Sequence, residues 1–181
     1  MTVSGLRRIV LIGFMGSGKT SVGRMLASEL GWRFADFDQV VEEEAGMTVA
    51  EIFARHGEPH FRSIEERVAR RLLQEVDVVL GSGGGWAAQP GRLRELPEGT
   101  ATVWLKVSPG EALLRASKEP GSRPLLAGAD AGDAATRLLA ERTAAYAEAR
   151  WAVDTEGSSV EDVSARIVDM LATTYPELRA E

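Results

Sequence analysis

Eight consecutive residues, Gly13-Phe-Met-Gly16-Ser17-Gly18-Lys19-Thr20, constrain this chain more than any others. They fit G-x-x-x-x-G-K-[ST]. They sit between a β-branched run, Arg8–Ile12, and a helical pattern from Lys19 to Leu30 with apolar residues at Val22, Met25, Leu26 and Leu30. Strand, tight turn and helix in that order make a phosphate cradle, the P-loop. Its glycines let backbone N–H groups converge on phosphate oxygens, and the helix N-terminus adds its positive dipole. Lys19 is then placed to reach the β- and γ-phosphates of a nucleotide, and the Thr20 hydroxyl to hold Mg²⁺. The chain has only three lysines (Lys19, Lys106 and Lys118) against 18 arginines, so a lysine where the motif needs one is no accident of composition.

The rest of the chain alternates short apolar runs with helical ones. Strands are expected at 32–35, 76–80, 100–107 and 151–153. Helices are expected from the Thr48-x-x-Glu51 capping box to about His56, from Pro59 to about Glu75, after the Ser108-Pro-Gly-Glu111 cap, over 133–150, and from Ser158-Ser-Val-Glu161 through Leu171. Strands separated by helices predict an α/β fold with a parallel sheet covered on both faces. At 181 residues, with no linker-like composition and no repeat, the chain reads as a single domain. The segment 119–132, rich in Gly and Pro, reads as a long loop of functional type, a lid. Residues after Leu171 read as a loose tail.

Composition excludes several functions. With 21 basic and 27 acidic residues the net charge is −6, which argues against nucleic-acid binding. There is no cysteine, hence no disulfide, thiolate metal site or cysteine nucleophile. The apolar stretch after Arg8 stops at Gly13, too short for a signal-peptide core or a bilayer span. The expectation is a cytoplasmic protein without membrane partners. The absence of asparagine rules out the guanine-reading N-K-x-D motif. His56 and His60 are separated by Gly57 and Pro59, so they are not expected to share a helix face as a metal pair.

A P-loop alone says only that a nucleotide binds. Candidates for an acceptor site follow it. Asp36 and Asp38 end the second strand, where ligands collect in parallel sheets; one suits Mg²⁺ or its waters and the other a substrate hydroxyl. A helix cap beside a surface acid would use the same residues. Arg62 stands three residues before Glu65, which can hold its guanidinium for a bidentate grip on a carboxylate, or simply pair with it in solvent. Gly83-Gly84-Gly85 lets a ligand approach the backbone, or is a flexible turn. Arg123 in the 119–132 loop could reach a phosphoryl group in transfer, or be a surface arginine. Arg142 by itself is a helix-face charge.

In this order, the P-loop at 13–20, Asp36-Phe-Asp38, Gly57-Glu-Pro-His-Phe-Arg62-Ser-Ile-Glu65, Gly83-Gly-Gly85, Arg123-Pro-Leu-Leu126 and Arg142-Thr-Ala-Ala-Tyr146 resemble the shikimate kinases, from about Arg8 to Arg166. The resemblance implies a three-layer α/β/α fold with a five-stranded parallel sheet, a P-loop NTPase of the nucleoside monophosphate kinase type. It implies an ATP-dependent phosphotransferase making shikimate 3-phosphate and ADP for aromatic amino-acid biosynthesis, working as a monomer on ATP and shikimate. It implies that Gly16, Ser17, Gly18, Lys19, Thr20 and Ser21 bind the phosphates, with Thr20 on Mg²⁺ and Asp36 reaching it through water. Asp38 would bind ring hydroxyls and take the 3-hydroxyl proton. Arg62 and Arg142 would hold the shikimate carboxylate, the Gly84 backbone would contact substrate, and Arg123 in the lid would contact ATP. Lys19, Asp38 and Arg123 are its catalytic candidates, and 38–66 its shikimate-binding helical segment. Phe53 and Phe61 would wall the ring. Two departures stand out. The family's adenine-side arginine falls at Ala116, one residue after Arg115, and the loop Glu156-Gly-Ser-Ser-Val160 lacks the usual proline. Rival readings are another small-molecule kinase of this fold and a nucleotide-binding module without turnover.

Overall fold

A computed structural model describes residues 5–118 and 131–179. Five strands form one sheet: β1 (Arg8–Ile12), β2 (Arg33–Asp36), β3 (Val78–Gly81), β4 (Thr100–Lys106) and β5 (Trp151–Asp154). The order is β2-β3-β1-β4-β5, and every neighbouring pair is parallel. All five β1 residues are buried: Ile9 to Ile12 as an apolar run covered on both faces must be, and Arg8 because its guanidinium donates to the Glu75 and Glu98 carbonyls and the Thr100 hydroxyl. Their alternation feeds two cores. Val10 and Ile12 join one apolar cluster, Ile9 and Leu11 the other.

Helices α1 (Lys19–Leu30) and α8 (Val160–Ala172) cover the Ile9/Leu11 face. The other face carries α2 (Phe37–Ala45), α3 (Val49–His56), α4 (Glu58–Leu72), the short α5 (Gly84–Ala87), α6 (Pro109–Ser117) and α7 (Ala131–Tyr146). The chain leaves β1 toward β2 but crosses from β3 to β4 on its other side. The crevice beyond the carboxyl end of β1 is therefore the switch point where such sheets bind ligands.

Several boundaries differ from the sequence reading. Strand β2 runs one residue later, so Asp36 ends it and at once caps α2, the helix-cap use that the sequence left open, at the head of the expected helical segment 38–66. The Asp36 side chain accepts from the Asp38 and Gln39 backbone N–H groups. Gly84 and Gly85 open the short helix α5, with Gly83 as its cap, where the sequence offered a ligand approach or a flexible turn. Ser159, not Ser158, caps α8 by accepting from the Asp162 N–H. The residues after Leu171 are not loose through Arg179. Tyr175 is buried, Leu178 packs on the core, and Glu177 accepts from the Leu6 N–H at 3.1 Å. His56 ends α3 and His60 lies on α4, yet the bend at Gly57 brings their rings to 4.8 Å between centroids. Arg123 and positions 119–130 of the expected lid lie outside the described residues.

Candidate active site

The carboxyl ends of β1, β2 and β3 open into a cavity of about 880 Å³. Its lining includes Gly16 to Ser21, Asp36, Asp38, Phe53, Phe61, Arg62, Glu65, Gly83 to Gly85, Arg115 and Arg142. All the described residues nominated from the sequence therefore share one wall or another of a single space.

At one end lies the P-loop. Gly16 adopts φ 76°, and a Cβ there would come within 2.8 Å of the Ala112 carbonyl oxygen on α6, so the loop can pack on that helix only as glycine. The Lys19 ammonium donates to the Gly13 and Phe14 carbonyls at 2.9 and 3.0 Å, which draws its charge across the mouth of the loop. Thr20 donates its hydroxyl proton to Asp36 Oδ2 at 2.9 Å. The other Asp36 oxygen is spent on capping α2, so this carboxylate is fixed by two helices at once. These are hard oxygen donors side by side, of the kind Mg²⁺ takes.

Asp38 is accessible from the cavity but stands deep in it. Desolvation, then the nearby charges of Asp36 and Glu65, push its carboxyl up to about 6, against a counteracting pull from Lys19. Its Oδ1 lies 3.3 Å from where a Cβ on Gly83 would stand, so it abuts the glycine turn.

The opposite end is built around Glu65. Arg62 donates to Glu65 at 2.6 Å and to Glu58 at 3.1 Å. Burial alone would lower the Arg62 pKa, but the two carboxylates outweigh it and raise it. Glu65 is 1% exposed; burial raises its pKa despite Arg62, Arg92 and Arg142, and its Oε1 has no hydrogen-bond partner among the described residues. The glycines explain how so much fits. A Cβ on Gly83 would lie 2.2 Å from Glu65 Oε1, and one on Gly85 2.3 Å from Arg62 Nη2. Arg142 reaches the same turn from α7, with Nη1 3.1 Å from a Cβ on Gly84. Two arginines 80 positions apart thus converge on three glycines, beside the tilted ring pair of Phe53 and Phe61 at 4.9 Å.

The chain as a whole is matched among known proteins. The shikimate kinase family model matches residues 15–172. A shikimate kinase from Geobacter metallireducens is 42% identical over 168 residues, 93% of this chain and 93% of that protein. One from Moorella thermoacetica is 46% identical over 163 residues, 90% of this chain and 93% of its own. The chain belongs to the shikimate kinase family. It is thus an ATP-dependent phosphotransferase with an alcohol acceptor. Among solved structures, a shikimate kinase from Acinetobacter baumannii in complex with shikimate superposes with a TM-score of 0.86 at 32% identity, over 93% of this chain and 94% of that one. A gluconokinase from Sinorhizobium meliloti, at 0.59 and 23% identity, shares the fold.

Several cavity residues escaped the sequence reading as site components, Ser82 and Arg115 among them. Ser82 follows β3 with its hydroxyl buried and unpartnered among the described residues; a lone serine beside a glycine run carries no signal. Arg115 is one position off the expected register, yet it reaches the P-loop. It donates to the Gly16 carbonyl at 3.2 Å, to the Thr155 hydroxyl at 3.1 Å and to the Thr155 carbonyl at 3.0 Å. Met15 lines the same space.

Proposed function

We propose that this kinase transfers the γ-phosphate of ATP to the 3-hydroxyl of shikimate with the residues just described. Gly16 to Ser21 would cradle the phosphates, Lys19 exchanging its backbone carbonyls for phosphate oxygens. The Thr20 hydroxyl and Asp36, the latter through water, would hold Mg²⁺. Bound there, Mg²⁺ supplies neutralisation of phosphate charge during transfer. Asp38 accepts the 3-hydroxyl proton, and a carboxyl near 6 is mostly ionised at neutral pH yet basic enough for that task. Arg62 and Arg142 grip the acid group of the acceptor, the Gly84 backbone contacts its ring, and the Phe53 and Phe61 rings give it an apolar wall. Arg123 is assigned to the ATP phosphates on sequence order alone, with 119–132 as the lid of a single-domain kinase. We place the reaction in the cytoplasm, on one copy of the chain. No helix among the described residues is long and apolar enough to cross a membrane, and one chain supplies both ends of the cavity.

The observation that carries this reading is the meeting of Arg62 and Arg142 at the Gly83–Gly85 turn, beside the start of the P-loop, where a Cβ on Gly84 would stand 3.4 Å from the Gly13 carbonyl oxygen. Two guanidinium groups suit a planar carboxylate, and an acidic side chain between them and the phosphates suits hydroxyls. The test is ADP release in the presence of ATP and Mg²⁺. Release accelerated by shikimate, and not by polyols lacking an acid group, is expected. Release indifferent to shikimate would sink the assignment.

A further inference from the structure

Tyr146 lies outside the roles given above, yet its hydroxyl stands at the centre of the acceptor end. The side chain is wholly buried, and its hydroxyl donates to the Gly84 carbonyl oxygen at 2.9 Å. The point where a Cβ on Gly84 would stand is 3.2 Å from this hydroxyl and 3.1 Å from Arg142 Nη1, so phenol, guanidinium and glycine turn crowd one spot. The nearby Arg142 charge works against the upward push that burial gives the phenol pKa. The ring is held independently, with its centroid 6.0 Å from that of Trp104. Tyr146 is one helical turn after Arg142 on α7, so the two side chains project together.

We infer that Tyr146 is a positioning residue for the acceptor: its hydroxyl, held on the Gly84 carbonyl beside the Arg142 guanidinium, keeps the carboxylate-gripping arginine at the glycine turn. An arginine on a long side chain loses several rotatable bonds of freedom when it binds a carboxylate. A buried hydroxyl that already holds it removes part of that loss, and acceptor affinity gains accordingly. The same bond fixes the Gly84 peptide, so the two substrate contacts move as one body. The inference rests on the assignment of Arg142 to the acceptor carboxylate.

Tyr146→Phe keeps the ring and its packing and removes only the hydroxyl. The expected result is a rise of about five- to tenfold in KM for shikimate, the effect of one hydrogen bond at a charged group, with kcat falling less than threefold. The dissociation constant for ATP and the melting temperature should stay near those of the parent. In an Arg142→Ala background the same substitution should change the acceptor KM by less than twofold, because the arginine it positions is gone. An unchanged acceptor KM in Tyr146→Phe, with Arg142→Ala still raising it, overturns this inference and leaves the function standing. Acceptor and ATP affinities weakened alike, with a melting point lowered by several degrees, make the hydroxyl structural and also overturn it. If Arg142→Ala itself leaves the acceptor KM unmoved, both the assignment of Arg142 and this inference fall.

Discussion

Asp38, proposed above to accept the hydroxyl proton, carries its charge at the expense of the resting fold. Its carboxyl is raised from 3.8 to about 6 because the cleft strips its water and Asp36 and Glu65 repel its charge. A raised carboxyl opposes folding wherever it is ionised in the unfolded state. The cost is therefore full above about pH 6, shrinks as pH falls through that value, and vanishes below the unfolded value near 4. Because the group is reached by solvent from the cavity, the cost is discounted to about 1 kcal/mol. Asp38→Asn should therefore raise the stability of the ligand-free protein by about 1 kcal/mol at pH 7.5, with no gain at pH 4, in denaturant melts. The same variant should lose on the order of a hundredfold or more in kcat. A variant destabilised at pH 7.5, or one with full turnover, contradicts this reading of Asp38.

At the scale of elements, the glycine turn between β3 and α5 is the least replaceable piece of the site. Gly83→Ala would drive a methyl group to within 2.2 Å of the buried Glu65 Oε1, and Glu65 is what holds Arg62. Affinity for shikimate should fall at least tenfold while affinity for ATP, gripped at the other end, changes little; titrating each ligand separately checks this. Elements also show where sequence reasoning succeeds and stops. The strand, P-loop and α1 were legible because a glycine pattern and two periodicities agree over a few residues. Helix α2 was legible only within the 38–66 segment of the resemblance, since Asp36 ends β2 and caps the helix with no turn residues between to announce the change. The final turn was missed because Tyr175 and Leu178 are isolated apolar residues whose burial comes from packing against distant parts of the chain. Arg142 by itself is a helix-face charge in the sequence and only the resemblance nominates it; tertiary folding is what carries α7 to the start of α5.

Over the whole molecule, a chain with net charge −6 binds two anionic ligands because its positive groups are local and its repulsion is spread out. Lys19 and the P-loop amides gather at one end of the cavity, Arg62 and Arg142 at the other, with Asp38 between. The parallel sheet was legible from the alternation of runs, and so was its covering on both faces; the strand order that opens the cavity beside β1 was not read from periodicity. The central claim is that the acceptor is recognised by its acid group through two converging guanidinium groups. The most direct measurement is calorimetric titration of shikimate and of its uncharged carboxamide into the kinase saturated with Mg²⁺ and a non-hydrolysable ATP analogue. The carboxamide should bind at least tenfold more weakly to the parent protein, and the two should bind equally poorly to the Arg62→Ala/Arg142→Ala double variant. Equal affinities for acid and carboxamide in the parent protein would contradict the account.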